Sequence, residues 1–341
     1  MRRWLPVAAT LLLTAMASPG WGRAGDPFAF LRPTVVVTAG DRQRLERGDV
    51  VVRSIAAADG QASVFAAVGI EASAERVIAW MRTVDHLKRG PLVPAIGIFS
   101  TPPRLDDLDG LALDDADLRD LARCRPGDCG LKLTAPEILH VQRAAADRTA
   151  PWPETATGVV RAIVLDRVTA YLAGGHTALP AFEDHRTPVQ PGVSFAALLD
   201  GTGFLIQRLP GVAAALRAPA EPRPDVESLV YWSKERAGGR PILSATHLRI
   251  ARPGGVEGPE VLVAGVGIFA SHYLDASLGL TALARDPGGR AYLVYVNRSE
   301  VDLLGRRFGG LSRFVMDRRV QSAAGDVLLA VKRRIESGDP P

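Results

Sequence analysis

The last third of the chain sets the strongest limits on its fold. Four stretches, Leu229 to Arg236, Ile242 to Ala251, Val261 to Tyr273 and Ala291 to Ser299, are rich in residues that favour extended backbone. Gly-Gly and Pro-Gly turns separate them, so consecutive stretches pair as an antiparallel meander. A final segment from about Phe308 to Ile335 changes period. Leu311, Val315, Ala324, Leu328, Val331 and Ile335 fall on one stripe of a helix. Opposite them gather Arg306, Arg307, Arg313, Arg318, Arg319, Lys332, Arg333 and Arg334.

Upstream, Asp49 to Ile55 and Ala62 to Ile70 flank Asp59-Gly60 and predict a hairpin. Ser73 then offers an N-cap, and Val77, Trp80, Met81, Val84 and Leu87 recur at helical spacing up to Gly90. Ala95 to Ser100 predicts a short strand, Asp114 to Ala122 a short acidic helix, and Leu131 to Thr134 an extended segment. Pro136 opens a helix to about Ala146, and Thr155 to Leu172 forms a longer one ending at Gly174-Gly175. Residues 175 to 224 are broken by Pro and Gly, with helical pieces at Phe195 to Leu199 and Val212 to Leu216, as in a lid, an insertion or a covering layer. Val68-Gly-Ile-Glu-Ala-Ser73 echoes Val266-Gly-Ile-Phe-Ala-Ser271, but the flanking residues do not repeat.

This order of elements resembles the helix-grip fold, shared by START lipid-transfer domains, birch-pollen-allergen-like proteins and polyketide cyclases. The segment Phe65-Ala-Ala-Val-Gly-Ile-Glu-Ala-Ser-Ala-Glu-Arg-Val-Ile-Ala-Trp80 is similar to that superfamily's opening strand and first helix. Ala291 to Ser299 followed by Phe308 to Ile335 is similar to its closing pair. The resemblance implies an α+β fold in which a curved antiparallel sheet wraps a long C-terminal helix. One such domain would span residues 25–341, with a helical insertion over about 135–224. A strongly curved sheet closed by one helix leaves an interior too wide for side chains to fill. Gly265 and Gly267 fit that picture better than dense packing does. A hydrophobic small molecule or lipid is the expected partner.

Residues 1–24 read as an export signal: Arg2 and Arg3 first, an uncharged stretch from Leu5 to Ala17, then small residues. Cleavage is compatible with Ala15-Met16-Ala17 or with Gly22-Arg23-Ala24. Removing Arg2, Arg3 and Arg23 lowers the net charge from +4 to +1, which argues against a nucleic-acid partner. The expected location is therefore the periplasm or the exterior. There the only two cysteines, Cys124 and Cys129, are expected to form a local disulfide across Pro126-Gly127.

Polar side chains concentrate in four places on the meander: Tyr231 to Glu235, Thr246-His247, Ser271 to Asp275 and Tyr295 to Glu300. Alternation puts Tyr231, Ser233 and Glu235 on one face, as it does Tyr295 and Asn297, with Lys234 and Arg298 opposite their neighbours. Tyr231, Ser233, Tyr295, Asn297 and Arg298 are the candidate ligand-binding residues. His247, Glu235, His272 and Tyr273 are the candidate acid, base or orienting groups if the cavity is catalytic, with Glu235 able to orient His247 from an adjacent strand. Hydrogen-bonded strand ends of an ordinary sheet explain the same residues.

Gly192-Val-Ser-Phe-Ala196 lacks the second glycine of a nucleophile elbow. The acidic run Asp106 to Asp117 fails as a calcium loop, because Leu105 and Ala116 fall where carboxylates are needed. No metal-spaced histidine pair, dinucleotide fingerprint or Walker loop occurs, so no metal and no cofactor is expected. The basic side of the last helix suits either solvent or anionic headgroups at a membrane surface. The leading expectation is an exported protein that binds a hydrophobic ligand. An enzyme using the same cavity and an envelope interaction protein without a pocket are the alternatives.

Overall fold

A computed structural model describes residues 25–147, 150–221, 223–236, 239–254, 258–302 and 310–341, with backbone alone for 310–317 and 319. The signal-like residues 1–24, and Arg306 and Arg307, lie outside them. The architecture is α+β. One open, curved antiparallel sheet of eight strands runs in the order β1-β2-β8-β7-β6-β5-β4-β3. The strands are β1 (Val51–Ser54), β2 (Gln61–Ile70), β3 (Ala95–Ile98), β4 (Val226–Glu235), β5 (Ile242–Ala251), β6 (Val261–Ala270), β7 (Leu274–Arg285) and β8 (Ala291–Val301). The last five form the meander. The β1–β2 hairpin adds to it along β8, and β3 closes the other side along β4.

Helices cover both faces. Between β2 and β3 lie α2 (Ala74–Arg82) and α3 (Val84–Lys88), and the chain ends in α10 (Gly310–Glu336). These pack on one face, called here the α10 face, where Val77, Ile78, Trp80, Met81, Leu328 and Ile335 join Val68, Leu248, Val263, Leu283 and Leu293 in one core. Ala324 is buried with them in kind, so the described part of the expected stripe is apolar and inward. Leu311 and Val315 have side chains outside the described residues.

The opposite face carries the insertion between β3 and β4: α4 (Asp115–Leu121), α5 (Ala135–Ala146), α6 (Trp152–Gly174), α7 (Pro191–Asp200), α8 (Gly203–Arg208) and α9 (Pro210–Arg217). A second core joins Val160, Val164, Val168, Phe195, Leu198 and Phe204 to Val230, Trp232, Leu262, Val266, Leu280, Val294 and Val296. Residues 175–217 are thus a covering layer. Arg167 on α6 is buried there, with its guanidinium between the rings of Phe182 and Phe269 and 2.6 Å from Glu137.

Several elements depart from the sequence reading. β7 was not foreseen, since its Leu, Ala and Gly content lacks strand character on its own and only its two neighbours make it extended. α1 (Ala39–Glu46) was missed as well; it carries little apolar periodicity and is held by a capping box between Thr38 and Asp41. The helix expected from Ser73 to Gly90 breaks at Thr83 into α2 and α3. Leu131 to Thr134 pairs with no strand, and its backbone bonds instead to Ser271 and Glu183.

Cys124 and Cys129 are bonded to each other. Their loop is also a scaffold: Gly127 N–H donates to Glu183 O and Cys129 N–H to Asp184 O, which tethers the segment ahead of α7. A bridge five residues apart closes a short loop. Replacing both cysteines by serine is therefore expected to cost roughly 2 kcal/mol, read from urea unfolding midpoints of the two proteins.

Candidate functional site

The register decides which polar residues meet. On the α10 face, one row across the sheet reads Tyr231, Thr246 and Gly267, and the next reads Leu229, Leu248, Gly265, Gly279 and Asn297. Further along the strands come Val263, Thr281 and Tyr295, and then Val261, Leu283 and Leu293. One end of this face is apolar and closed by α2 and α10. Among the described residues, the other end carries mainly Gly, Ser and Thr between Tyr231 and Tyr295.

Exposure follows the same division. Ser244, Thr246, Gly265, Gly267, Ser277, Gly279, Thr281, Tyr295 and Asn297 are all half-buried, although they sit on the four middle strands. Their neighbours pointing to the other face, such as Ala245, Ala264, Val266, Leu278, Leu280, Val294 and Val296, are fully buried. The middle of a sheet is normally its driest part, so this alternation marks a less closely covered strip, called here the lane. Gly265 and Gly279 face each other across β6 and β7. A Cβ on Gly279 would touch the Tyr295 and Asn297 side chains at 3.7 Å, so the glycines leave space rather than relieve a clash.

At the polar end, Lys88 of α3 reaches down to β4. Its Nζ lies 2.6 Å from Glu235 Oε1 and donates to Tyr231 Oη at 3.2 Å. Ser233 Oγ donates to the same Glu235 oxygen at 2.8 Å and lies 3.1 Å from Ser244 Oγ. Burial works against charge on Lys88, but Glu235 and Tyr231 more than offset it and hold the ammonium above its ordinary value. Burial likewise pushes Glu235 up, and Lys88 with Ser233 pulls it net below the usual carboxylate range. Burial pushes Tyr295 up to about 12 against the pull of Lys88. The site therefore holds an ammonium–carboxylate pair and a neutral Tyr295 hydroxyl, so proton transfer near neutrality is disfavoured.

Of the sequence candidates, Tyr231, Ser233, Tyr295 and Asn297 share this face. Arg298 does not: it points to the insert face and donates to Ala56 O at 2.9 Å. Nor do His247 and Glu235 meet, because they occupy opposite faces of the sheet. His247 Nδ1 is 3.2 Å from Tyr171 Oη. Beside it His176 stacks on Phe195 at 3.7 Å. Burial, then Arg249 and His176, pull His247 down to about 3. Burial pulls His176 down to about 4 against its bond to Gly267 O.

His272 is elsewhere again, under the disulfide loop, with Nδ1 2.7 Å from Gly130 O and Nε2 3.0 Å from Asp117. Both ring nitrogens are thus engaged within the fold. Tyr273 follows it at φ 65°, a left-handed turn residue. The four candidate acid–base residues occupy three separate places. In the acidic run, Asp107 accepts from Ser100 and Arg104, Asp114 pairs with Lys234, and Asp117 with His272. On α10, Arg334 donates to His86 O and Arg89 O, and Lys332 pairs with Glu336, so part of its basic side is spent within the fold.

Sequence reasoning noted Thr246 only as a polar strand residue and missed Lys88, Ser244, Ser277, Gly279 and Thr281 on this face. Glu235 could have been paired with Lys88 only by knowing that α3 crosses β4. No family model and no curated protein matches the chain.

The two core histidines make a pH prediction. Their native values lie below the unfolded value of 6.5, so their contribution is complete above about pH 6.5 and is lost as pH falls toward 4 and then 3. Between pH 7 and pH 5 each should cost roughly 2 kcal/mol. Denaturant titrations at the two pH values measure it, and His176→Phe, which keeps a ring on Phe195, should flatten the profile.

Proposed function

We propose that this protein is an exported carrier that holds a small amphipathic or hydrophobic ligand, lipid included, in the lane on the α10 face. The observation that supports it is the run of half-buried Gly, Ser and Thr positions in the middle of an otherwise closely packed sheet. The lane grades from Leu283 and Leu293 at one end to Lys88, Glu235, Ser233 and Tyr231 at the other. That gradient suits a ligand with an apolar body and a polar head. The fold is compatible with the helix-grip arrangement, in which START-like domains carry ligands between sheet and last helix.

Export rests on the signal-like residues 1–24. The Cys124–Cys129 disulfide fits an oxidising compartment. Among the described residues no helix is long and apolar enough to cross a membrane. The fixed charges of Lys88 and Glu235 favour binding over an acid–base enzyme in the same lane.

Two substitutions test this reading. Gly265→Leu and Gly279→Leu place side chains in the lane, where a Cβ meets nothing nearer than 3.6 Å. Each should weaken binding of palmitate and of a naphthalene-sulfonate fluorophore by about tenfold, ~1.4 kcal/mol, with little change in unfolding midpoint. If wild-type protein from its native compartment yields no extractable ligand by mass spectrometry and binds neither probe, the carrier reading is wrong.

A further inference from the structure

A second cluster lies at the far end of β8, around a buried lysine. Lys132 is 2% exposed, and its Nζ stands 2.6 Å from Asp275, 3.2 Å from Asp302 and 3.8 Å from Asp184. Three carboxylates thus surround one ammonium, an excess of two negative charges in a poorly hydrated place. Burial holds the Asp275 carboxyl above its ordinary value in spite of Lys132. Buried charge of this kind requires a counter-ion or protonation.

One carboxylate oxygen lacks the partner that burial demands, and a second carboxylate has only distant cationic neighbours. The Asp184 side chain is 5% exposed, and no hydrogen bond from a described residue reaches its carboxylate; Lys132 stands beyond hydrogen-bond range of it. Asp302 Oδ1 is buried and has no partner among the described residues. Both acids aim at the same point as His185, whose Nε2 is 3.5 Å from Asp184 Oδ2 and 4.0 Å from Asp302 Oδ2. Ligand atoms from the three residues lie within 4.8 Å of one another, and bonds of about 2.0–2.2 Å to a common centre nearly span such separations.

We propose that Asp184, His185 and Asp302 bind a divalent transition-metal ion, with Lys132 and Asp275 as the surrounding charge. One divalent cation cancels the excess of two negative charges. An imidazole with two carboxylates suits zinc-like ions better than calcium or magnesium, which prefer all-oxygen sets. His185 is 35% exposed, which gives the ion a route from solvent and leaves room for water as a further ligand. The ligands are held by the disulfide loop: Cys129 N–H donates to Asp184 O, and Asp128 bridges His185. Sequence spacing hides the set, because Asp302 is far along the chain from the Asp184-His185 pair.

The test titrates Zn2+ into the full chain after dialysis against a chelator, with calorimetry for stoichiometry and a thermal melt alongside. One ion per chain and a melt raised by Zn2+ are expected. His185→Ala and Asp302→Asn should each weaken binding by at least about tenfold and remove the Zn2+ effect on the melt. Co2+ in place of Zn2+ should give a visible ligand-field spectrum in the wild type and lose it in His185→Ala. Should Asp302→Asn fail to fold, the half-exposed His185→Ala decides alone, judged folded by its melt in chelator. No saturable binding, or equal binding by wild type and His185→Ala, overturns the site.

Discussion

The sheet has to satisfy two different partners through one set of strands, and the rest of the structure follows from how β5 to β8 alternate. Most alternate residues on these strands are apolar and are sealed beneath the helical insertion, with His247, Arg249 and Arg298 as polar exceptions. The residues between them change along the strand from Val and Leu to Gly, Ser and Thr. Alternation has period two, so neither set can be altered without leaving the other in place. A hydrophobic face anchored by six helices fixes the sheet, and the α10 face is thereby free to give up packing near Gly265 and Gly279.

Loss of that packing has to be offset elsewhere. Burying apolar surface is worth about 25 cal/mol per Å², and the Gly, Ser and Thr positions of the lane contribute little of it. The insertion between β3 and β4 supplies burial on the other face, which gives a physical reason for so large a helical layer. Arg167 between Phe182 and Phe269 and the Tyr171–His247 contact show how polar side chains were accommodated in that layer. Arg167 is stacked on rings and paired with Glu137, and His247 is bonded to a hydroxyl.

The meander, the first hairpin and the last helix were legible because each has a strong period or turn signal. Strand β7 was not, since Leu274 to Arg285 is extended only because β6 and β8 pair with both its edges. Alternation correctly grouped Tyr231, Ser233 and Glu235, and Tyr295 with Asn297. It could not assign the two groups to one face across the sheet without the registers of the intervening strands. That is why His247 was set beside Glu235 when an entire sheet separates them, and why Arg298 was counted with Asn297 although the chain reverses face at every residue. Lys88, which fixes the charge of Glu235, comes from α3, and nothing in the local sequence of either residue names the other.

β8 ties the two polar regions of the molecule together. Its Tyr295 and Asn297 line the lane, its Arg298 and Glu300 face the insertion, and the chain leaves it through Val301 into Asp302 beside Lys132. Lys88 and Lys132 are chemically alike but are set in opposite surroundings. Lys88 meets one carboxylate and the Tyr231 hydroxyl, so its corner is electrically balanced. Lys132 meets three carboxylates, so its corner is unbalanced and draws cations. Desolvating an ion costs several kcal/mol, and the cost is met by a single partner in the first case and left partly unmet in the second. That difference in charge count, more than the residue types themselves, separates the two corners.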